Sequence, residues 1–145
     1  MRGVTLEGIE TARPTPAVLD AIRDADIVVI GPSNPIVSIG PILALDGVRH
    51  AILRARRRVG VSPIIGGRAL KGPAARMLAS LGHQASATGA ARIYGDLLTH
   101  WVIDATDADL GPGIGGLGVQ PVVLDTIMRS DADRARLASE LIAIG

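Results

Sequence analysis

IVVIGPSNP, at residues 27–35, sets the architecture of this chain. Its first four residues are an unbroken β-branched run, which is typical of a central strand that is buried on both faces of a parallel sheet. Its last five residues are all turn formers, so the strand is predicted to end abruptly at Gly31. The sequence on either side alternates between strand-like and helix-like segments. That alternation predicts an α/β fold, with a mainly parallel sheet flanked by helices.

Periodicity and turn signals predict the remaining elements outward from this stretch. The predicted strands are 4–7, 59–64, 101–103 and 119–124. Pro14 and Pro16 mark the entry to a first predicted helix that runs to about Arg23. The further predicted helices are 38–45, 47–57, 73–81, 89–98 and a last helix that ends near Ile142. Ser130 and Asp133 form a capping box that predicts the start of this last helix. Residues 111–118 hold five glycines and are predicted to form a flexible connection. No linker divides the sequence, so we expect a single domain over residues 1–145.

The composition limits the chemistry that is open to the chain. Hydrophobic residues make up 48% of it and aromatic residues 1%, so the core must be packed with aliphatic side chains. Tyr94 and Trp101, the only two aromatic residues, are predicted to be mainly packing residues. The absence of Cys excludes disulfides and cysteine nucleophiles, and the three scattered histidines lack metal-ligand spacing. We expect a cytoplasmic protein with no membrane partner, because no apolar run is long enough to span a bilayer and no secretion signal is recognisable.

The charges nearly balance, with 15 basic and 14 acidic residues. The only basic cluster consists of the arginines at 54, 56, 57 and 58. We interpret it as a solvated helix end, where cations interact favourably with the helix dipole. Because no aromatic residue accompanies these arginines to stack on bases, we predict no nucleic-acid partner.

Two short segments are the best candidates for a ligand site, because each follows a predicted buried strand and ligands bind at the carboxyl ends of parallel strands. Small residues let backbone N–H groups approach a ligand, hydroxyls and amides add donors, and a following helix contributes its positive end. Phosphate oxygens are the natural occupant of such a site. The candidate phosphate-binding or substrate-binding residues are Gly31, Ser33, Asn34 and Ser38 in the first segment, and Ser62, Ile64, Gly66 and Gly67 in the second.

Other interpretations of these residues stay open. The first segment could be only a tight turn, and neither segment matches a Walker A or dinucleotide fingerprint. Lys71 is a candidate to offset negative charge, against the alternative of a solvated lysine. Asp96 and Asp104 are weaker acidic candidates, and the loop that follows Asp104 is interpreted as a solvated acidic loop rather than a cation site. We assign no metal ligand in this sequence.

An ordered series of motifs resembles the 2-phospho-L-lactate transferase (CofD-like) family. The resemblance covers nearly the whole chain, and the combined series is more specific than any one loop. The motifs are GPSNP at 31–35, SIGPIL at 38–43, VSPIIGG at 61–67, KGPA at 71–74, YGDLL at 94–98 and VID at 102–104.

This resemblance implies a Rossmann-like fold and a phosphotransferase activity. Family members transfer a 2-phospholactyl group, or in some bacterial members an enolpyruvyl-phosphate group, from a guanosine diphospho donor to the deazaflavin Fo. The reaction releases GMP, depends on magnesium and belongs to coenzyme F-420 biosynthesis. The resemblance therefore implies guanosine diphospho-lactate or -enolpyruvate and Fo as partners, and it leaves a homodimer open.

The sequence departs from the family pattern in its length. Family members are about twice as long and begin with a glycine-rich strand-loop, and their magnesium carboxylates come from that N-terminal half. We therefore expect this chain to be the C-terminal part of such an enzyme and to be inactive alone. Two alternatives remain. One is a nucleotide-sugar-binding regulator of the same superfamily, although such relatives resemble GPGSLYTS where this chain has SNP at 33–35. The other is a non-catalytic remnant.

Overall fold

In the computed structural model, which describes residues 3–69 and 72–145, strands and helices alternate along the chain. The strands are β1 (Ile27–Ile30), β2 (Arg57–Val61), β3 (Ile64–Ile65), β4 (Arg68–Ala69), β5 (His100–Asp104) and β6 (Gln120–Leu124). The α-helices are α1 (Pro16–Arg23), α2 (Gly40–Leu43), α3 (Val48–Arg54), α4 (Ala74–Ser80), α5 (Ala87–Tyr94), α6 (Gly111–Gly115) and α7 (Asp131–Ile142). A π-helical turn (Pro35–Ile39) leads into α2, and two 3-10 helices (Gly95–Leu97 and Ala105–Leu110) flank β5. The predicted α/β class is confirmed.

Four parallel strands form the main sheet in the order β1-β2-β5-β6, and β3 pairs with β4 in a separate antiparallel hairpin. Because the order of the main sheet never reverses, right-handed crossovers are expected to bring the intervening helices to one face. The larger core cluster agrees with this expectation, since it joins residues of β1 and β5 to residues of α3, α4, α5 and α6. The smaller cluster packs α7 on the other face, through Leu137 and Leu141.

β1 lies at an edge of the sheet, so the prediction of a central strand buried on both faces is wrong. Val29 is 40% exposed, whereas Ile30 is buried. The strand residues that pack most deeply under α7 belong to β2 and β5. An apolar run predicts a strand but does not determine its position in the sheet. At the edge position, the face of β1 that bears Val29 is only partly covered.

Trp101 anchors the larger core, as predicted for a packing residue. It is fully buried, its indole Nε1 donates to the backbone oxygen of Ala87 at 3.1 Å, and its ring lies 5.4 Å from that of buried Tyr94. A Cβ atom at Gly60, on the neighbouring strand, would lie 2.6 Å from the Trp101 ring. The indole therefore occupies the space that a side chain at Gly60 would need, which fixes the contact between β2 and β5.

Four predicted elements differ from the structure. Residues 4–7 are not a strand, and the strand predicted over 59–64 is β2, which ends at Val61 and is followed separately by β3. The helix predicted over 47–57 is α3, which ends at Arg54, and Arg57 already belongs to β2. The glycine-rich stretch 111–118 contains α6 in place of the predicted flexible connection. Pro112 in the first turn of α6 pre-sets a helical φ, and Ile114 is fully buried in the core, so tertiary packing offsets the poor helix propensity of glycine.

The last helix follows the predicted capping box. Ser130 accepts from the backbone N–H of Asp133, and the Asp133 carboxylate accepts from the backbone N–H of Ser130. Among the residues that the structure describes, no single helix is long and apolar enough to cross a membrane, although the bent pair Pro35–Leu43 and Val48–Arg54 meets the requirement by length and composition.

Candidate functional site

A cavity of about 700 Å³ opens at the carboxyl edge of the main sheet. We call it the carboxyl-edge cleft. Four segments form its walls: the turn after β1, the turn after β2, the residues that lead into α4, and the segment between β6 and α7. This is the position at which open parallel sheets bind their ligands, and the volume is within the usual range for small-molecule sites.

The first predicted segment lies in this cleft, with Ser33, Asn34 and Ser38 among the lining residues. Asn34 caps the helical stretch that begins at Pro35: its Oδ1 accepts from the backbone N–H groups of Ile36 at 2.9 Å and of Val37 at 3.4 Å. Those two N–H groups are therefore already paired, which leaves side chains as the main donors here. Among the described residues, Asn34 Nδ2 donates only to the sulfur of Met77, at 3.2 Å, and sulfur is a weak acceptor.

Ser33 and Ser38 are the free donors of this segment. No described residue accepts from either hydroxyl, and Ser33 is half-buried whereas Ser38 is exposed. Gly31, the other residue predicted in this segment, is exposed and does not line the cleft. Its part is the turn itself, in which its backbone oxygen accepts from the N–H of Ser33 at 2.8 Å.

The second predicted segment contributes less of the cleft wall. Ser62 lines the cleft but is 2% exposed, and its hydroxyl donates to the Ile64 backbone oxygen at 2.9 Å while accepting from the Ile64 N–H at 3.2 Å. Both polar backbone groups of Ile64 are thereby paired, and its side chain is fully buried in the larger core. Ser62 and Ile64 therefore shape the turn, and a ligand would have to displace their hydrogen bonds to reach them.

Gly66 and Gly67 form the two-residue loop of the β3–β4 hairpin and do not line the cleft. Their φ angles are +55° and +74°, the pattern of a type I′ turn, which glycine adopts without strain. The Gly66 N–H donates to both carboxylate oxygens of Asp107, at 3.1 and 3.0 Å. The geometry of these two glycines is thus explained by a hairpin.

Two aspartates at the end of β5 and just after it are buried, Asp104 as the last residue of the strand and Asp107 in the segment that follows. The interpretation of the loop after Asp104 as a solvated acidic loop is therefore wrong for Asp107, whereas Asp109 is exposed. Asp104 is 3% exposed and Asp107 is 6% exposed. Asp104 Oδ1 accepts from the N–H of Thr106 at 2.9 Å, and its Oδ2 accepts from the N–H and hydroxyl of Thr126 at 3.0 and 3.1 Å. Burial alone would raise the pKa of Asp104, but the hydrogen bonds from Thr106 and Thr126 outweigh it and hold the pKa below its ordinary value.

Sequence reasoning missed Thr126 and Arg134, which line the cleft from the segment after β6. Thr126 is 3% exposed and is positioned by Asp104, so Asp104 acts on the cleft through Thr126. Arg134, on the first turn of α7, carries the only charged side chain among the described lining residues. The rule that selected the turns after β1 and β2 applies equally to the turn after β6, and it would have found this segment.

Two further candidates fall outside the cleft. Asp96 precedes β5 and so lies at the opposite, amino edge of the sheet, where its exposed carboxylate accepts from Arg49 at 2.7 Å. Lys71 lies outside the described residues, so its role stays a prediction. Within residues 3–69 and 72–145, no three His, Asp or Glu side chains cluster as a metal site would require.

Comparison with known proteins places the sequence in a family. The family model described as "2-phospho-L-lactate transferase CofD" matches residues 2–134. The 2-phospho-L-lactate transferase of Methanothermobacter thermautotrophicus is 44% identical over 130 residues, which are 90% of this chain and 42% of that protein. The phosphoenolpyruvate transferase of Thermobifida fusca is 50% identical over 103 residues, which are 70% of this chain and 32% of that protein.

A longer alignment with the 2-phospho-L-lactate transferase of Methanopyrus kandleri, at 38% identity, covers 99% of this chain and 46% of that protein. The chain thus spans less than half the length of these relatives. The match of the family model nonetheless extends over most of its residues, including all of the described cleft. The chain therefore belongs to the 2-phospho-L-lactate transferase CofD family.

Proposed function

We propose that this chain is part of a transferase that moves a 2-phospholactyl or enolpyruvyl-phosphate group from a guanosine diphospho donor to the deazaflavin Fo, releasing GMP, in coenzyme F-420 biosynthesis. Family membership supports the reaction class. The observation that carries the assignment of the site is that Ser33, Ser38 and Arg134 line one cleft at the carboxyl edge of the sheet. Two hydroxyls and a guanidinium are suitable donors for diphosphate oxygens.

The proposed reaction is a substitution at phosphorus. The hydroxyl oxygen of Fo forms a bond to the phosphorus that carries the acyl-bearing group, and the bond from that phosphorus to the GMP oxygen breaks. GMP leaves with the bonding electron pair, and the Fo hydroxyl loses its proton. Residues at such a site act mainly by positioning the reactants and by balancing the negative charge of the phosphoryl oxygens. Ser33 and Ser38 would orient those oxygens, and Arg134 would balance their charge.

Arg134 is available for this role at low cost. Its guanidinium is paired with Asp131, three residues earlier on α7, and 63% of its side chain is exposed. Exposed ion pairs of this kind contribute about 0–1 kcal/mol, whereas a guanidinium can bind phosphate oxygens through two parallel hydrogen bonds. A diphosphate in the cleft would therefore compete effectively with Asp131.

Magnesium belongs to the proposal only through residues outside this chain. No described residue that lines the cleft carries a carboxylate, and no cluster of three suitable ligands occurs in the described ranges. These residues do not fit a magnesium site by themselves. Because the cleft also lacks a carboxylate to accept the proton of Fo, we expect this chain to bind nucleotide without turnover.

Calorimetric titration of the 145-residue chain with GDP tests the proposal. We expect saturable binding that Ser33→Ala combined with Ser38→Ala weakens about 10-fold or more, because a hydrogen bond to a charged group contributes about 1.5–3 kcal/mol. Arg134→Gln should have a similar effect. Ser139→Ala and Arg129→Gln are matched controls, since both side chains are exposed and neither lines the cleft.

The same titration separates the alternatives. Saturable binding of GDP or of Fo supports the transferase assignment, whereas binding of a UDP-sugar in preference to GDP would favour a nucleotide-sugar-binding protein. Absence of binding to all three would contradict the proposed site. Gel filtration tests the homodimer, and fractionation of the host cell tests the cytoplasmic location that the proposal includes.

A further inference from the structure

The segment between β6 and α7, residues 125–130, forms one wall of the carboxyl-edge cleft although it contains no helix or strand. We call it the β6–α7 wall. Thr126, Ile127 and Met128 are its lining residues, and Thr126 is buried and bonded to Asp104. The wall is therefore fixed to the interior at Thr126, and the residues after Thr126 need a further attachment.

Core packing does not supply that attachment. Ile127 is half-buried and Met128 is 39% exposed, and neither belongs to the two core clusters that the described residues form. Leu124, at the end of β6, still packs against the smaller cluster. The chain thus leaves the core after Thr126, and its next two apolar side chains line the cleft.

Asp125 holds the wall through hydrogen bonds instead. Its Oδ1 accepts from the backbone N–H of Ile127 at 3.1 Å, which is an Asx turn, so the carboxylate fixes the backbone around Thr126. Its backbone oxygen accepts from Nη2 of Arg136 at 2.7 Å. Asp125 does not line the cleft, so it acts there only through the residues that follow it.

Arg136 connects the wall to α7. Its Nη1 donates to Oε2 of Glu140, one turn further along the helix, at 2.7 Å, while its Nη2 reaches the Asp125 oxygen. The neighbouring residue Leu137 is buried in the smaller core, so this part of α7 is a rigid support. The remaining contact of Asp125, an ion pair with Arg129 at 3.0 Å, is exposed on both sides and contributes little by comparison.

We propose that Asp125 and Arg136 are positioning residues that hold the β6–α7 wall in place before a ligand binds. Ile127 and Met128 then present a preformed apolar surface to the planar ring of a bound nucleotide or deazaflavin. This inference rests on the proposed function, from which it takes the ligands of the carboxyl-edge cleft. A thioether packs favourably on an aromatic ring, and a wall that is already ordered loses less entropy when the ligand binds.

Hydrogen exchange of the ligand-free chain tests whether the wall is preformed. We expect the Ile127 amide to be protected in the unmodified chain and to exchange about 5-fold faster or more in Asp125→Ala, while the amides of β5 are unchanged. Asp125→Asn should retain the protection, because the asparagine side-chain oxygen can accept the same hydrogen bond. Equal exchange of the Ile127 amide in Asp125→Ala and the unmodified chain would overturn the proposal.

Calorimetric titrations with GDP and with Fo test the consequence for binding. We expect Asp125→Ala and Arg136→Gln each to weaken at least one of the two ligands about 5-fold, the loss expected for one hydrogen bond. Asp125→Asn should remain within about twofold of the unmodified chain, because it keeps the Asx turn. The ligand that is weakened identifies which ring meets the wall.

Arg129→Gln and Glu140→Gln are matched controls. Each removes one ion pair of the same network and leaves in place the hydrogen bonds that Asp125 accepts from Ile127 and Arg136. Weakening by either control equal to that of Asp125→Ala would show only a charge effect and would overturn the proposal, as would equal weakening by Asp125→Asn. Absence of binding by the unmodified chain contradicts the proposed function, whereas binding of both ligands that Asp125→Ala leaves unchanged contradicts only the positioning role.

Discussion

The turns after β1 and β2 contain the same kinds of residue, and the fold uses them differently. Both follow neighbouring parallel strands, and both combine serine, proline and glycine. The turn after β1 runs into a helical stretch capped by Asn34, and its serine hydroxyls remain free in the cleft. The turn after β2 runs into a hairpin, and the polar groups of Ser62, Ile64 and Gly66 are paired within the protein.

The element that each turn leads into explains the difference. A helix that begins after the turn aims its first residues at the ligand edge of the sheet, whereas a two-residue glycine loop reverses the chain and closes its own hydrogen bonds. Residues at and after the end of β5 contact both regions. Asp104 accepts a hydrogen bond from Thr126 at the cleft, and Asp107 accepts one from Gly66 at the hairpin. A turn of small residues after a strand therefore predicts a ligand site only when its donors stay unpaired.

Removal of the Asp107 carboxylate should destabilise the β3–β4 hairpin and leave ligand binding in the carboxyl-edge cleft unchanged. We expect Asp107→Ala to lower the free energy of unfolding by about 1.5–3 kcal/mol, because the bifurcated charge-assisted hydrogen bond from the Gly66 N–H to the carboxylate is lost. Urea denaturation measures this, and hydrogen exchange of the Gly66 amide should become faster. Asp109→Ala, in the same loop but exposed, should change stability by no more than about 0.5 kcal/mol. If Asp107→Ala lost GDP binding at temperatures where the variant is folded, the hairpin and the carboxyl-edge cleft would not be independent, and the prediction would be wrong.

Removal of the Thr126 hydroxyl should instead affect ligand binding in the carboxyl-edge cleft and leave the β3–β4 hairpin intact. We expect Thr126→Val to cost about 1.5 kcal/mol at pH 7 and to weaken GDP binding, because Asp104 loses one of its donors next to the cleft. The pKa of Asp104 is held below its ordinary value of 3.8 in the folded protein. A depressed carboxyl pKa stabilises the fold above pH 4, and that stabilisation is lost as the pH falls through the folded pKa.

The stability difference between Thr126→Val and the unmodified chain should therefore shrink as the pH falls from 5 through the folded pKa of Asp104. Urea denaturation across this range measures the difference. Thr11→Val is the control, because Thr11 is an exposed threonine whose hydroxyl donates to the Gly8 oxygen. A difference that stays constant with pH would show that the hydroxyl acts by packing rather than through the Asp104 carboxylate.

The sequence predicted the parts of this molecule that depend on local pattern. The β-branched runs predicted β1, the core of β2 and β5, and the capping box predicted α7. The ligand-edge rule led to Ser33, Asn34 and Ser38, which the structure brings into one cleft. Whether they bind a ligand stays a prediction.

The remainder depends on contacts between distant residues. The edge position of β1 follows from pairing order, which an apolar run does not encode. Asp107 lies in an acidic loop whose composition is typical of solvated surface, and only its contact with Gly66, 41 residues away, explains its burial. The β3–β4 hairpin, in contrast, was predictable from local sequence, because two consecutive glycines between Ile65 and Arg68 are a typical hairpin turn.

A substitution at Gly67 tests whether the hairpin turn depends on backbone conformation alone. A Cβ at this position would meet nothing nearer than the Ala85 oxygen at 3.7 Å, an ordinary contact, so strain from the φ of +74° is the only cost. We expect Gly67→Ala to cost about 1–2 kcal/mol and Gly67→Asn clearly less, because asparagine tolerates the left-handed region. Equal costs in thermal or urea denaturation would contradict this explanation, and GDP binding should be unchanged in both variants.

Substitution of Asn34 separates the structural and the ligand-binding roles of the turn after β1. We expect Asn34→Ala to cost about 1 kcal/mol, because the cap on the N–H groups of Ile36 and Val37 is lost. Asn34→Asp should retain that stability, since aspartate caps equally well and interacts favourably with the helix N-terminus. The new carboxylate would nonetheless face the cleft and repel a diphosphate, so GDP should bind more weakly to the stable Asn34→Asp variant than to the less stable Asn34→Ala variant. Calorimetric titration compares the two, and tighter binding by Asn34→Asp would mean that this turn caps a helix without facing an anion, as the turn after β2 closes a hairpin.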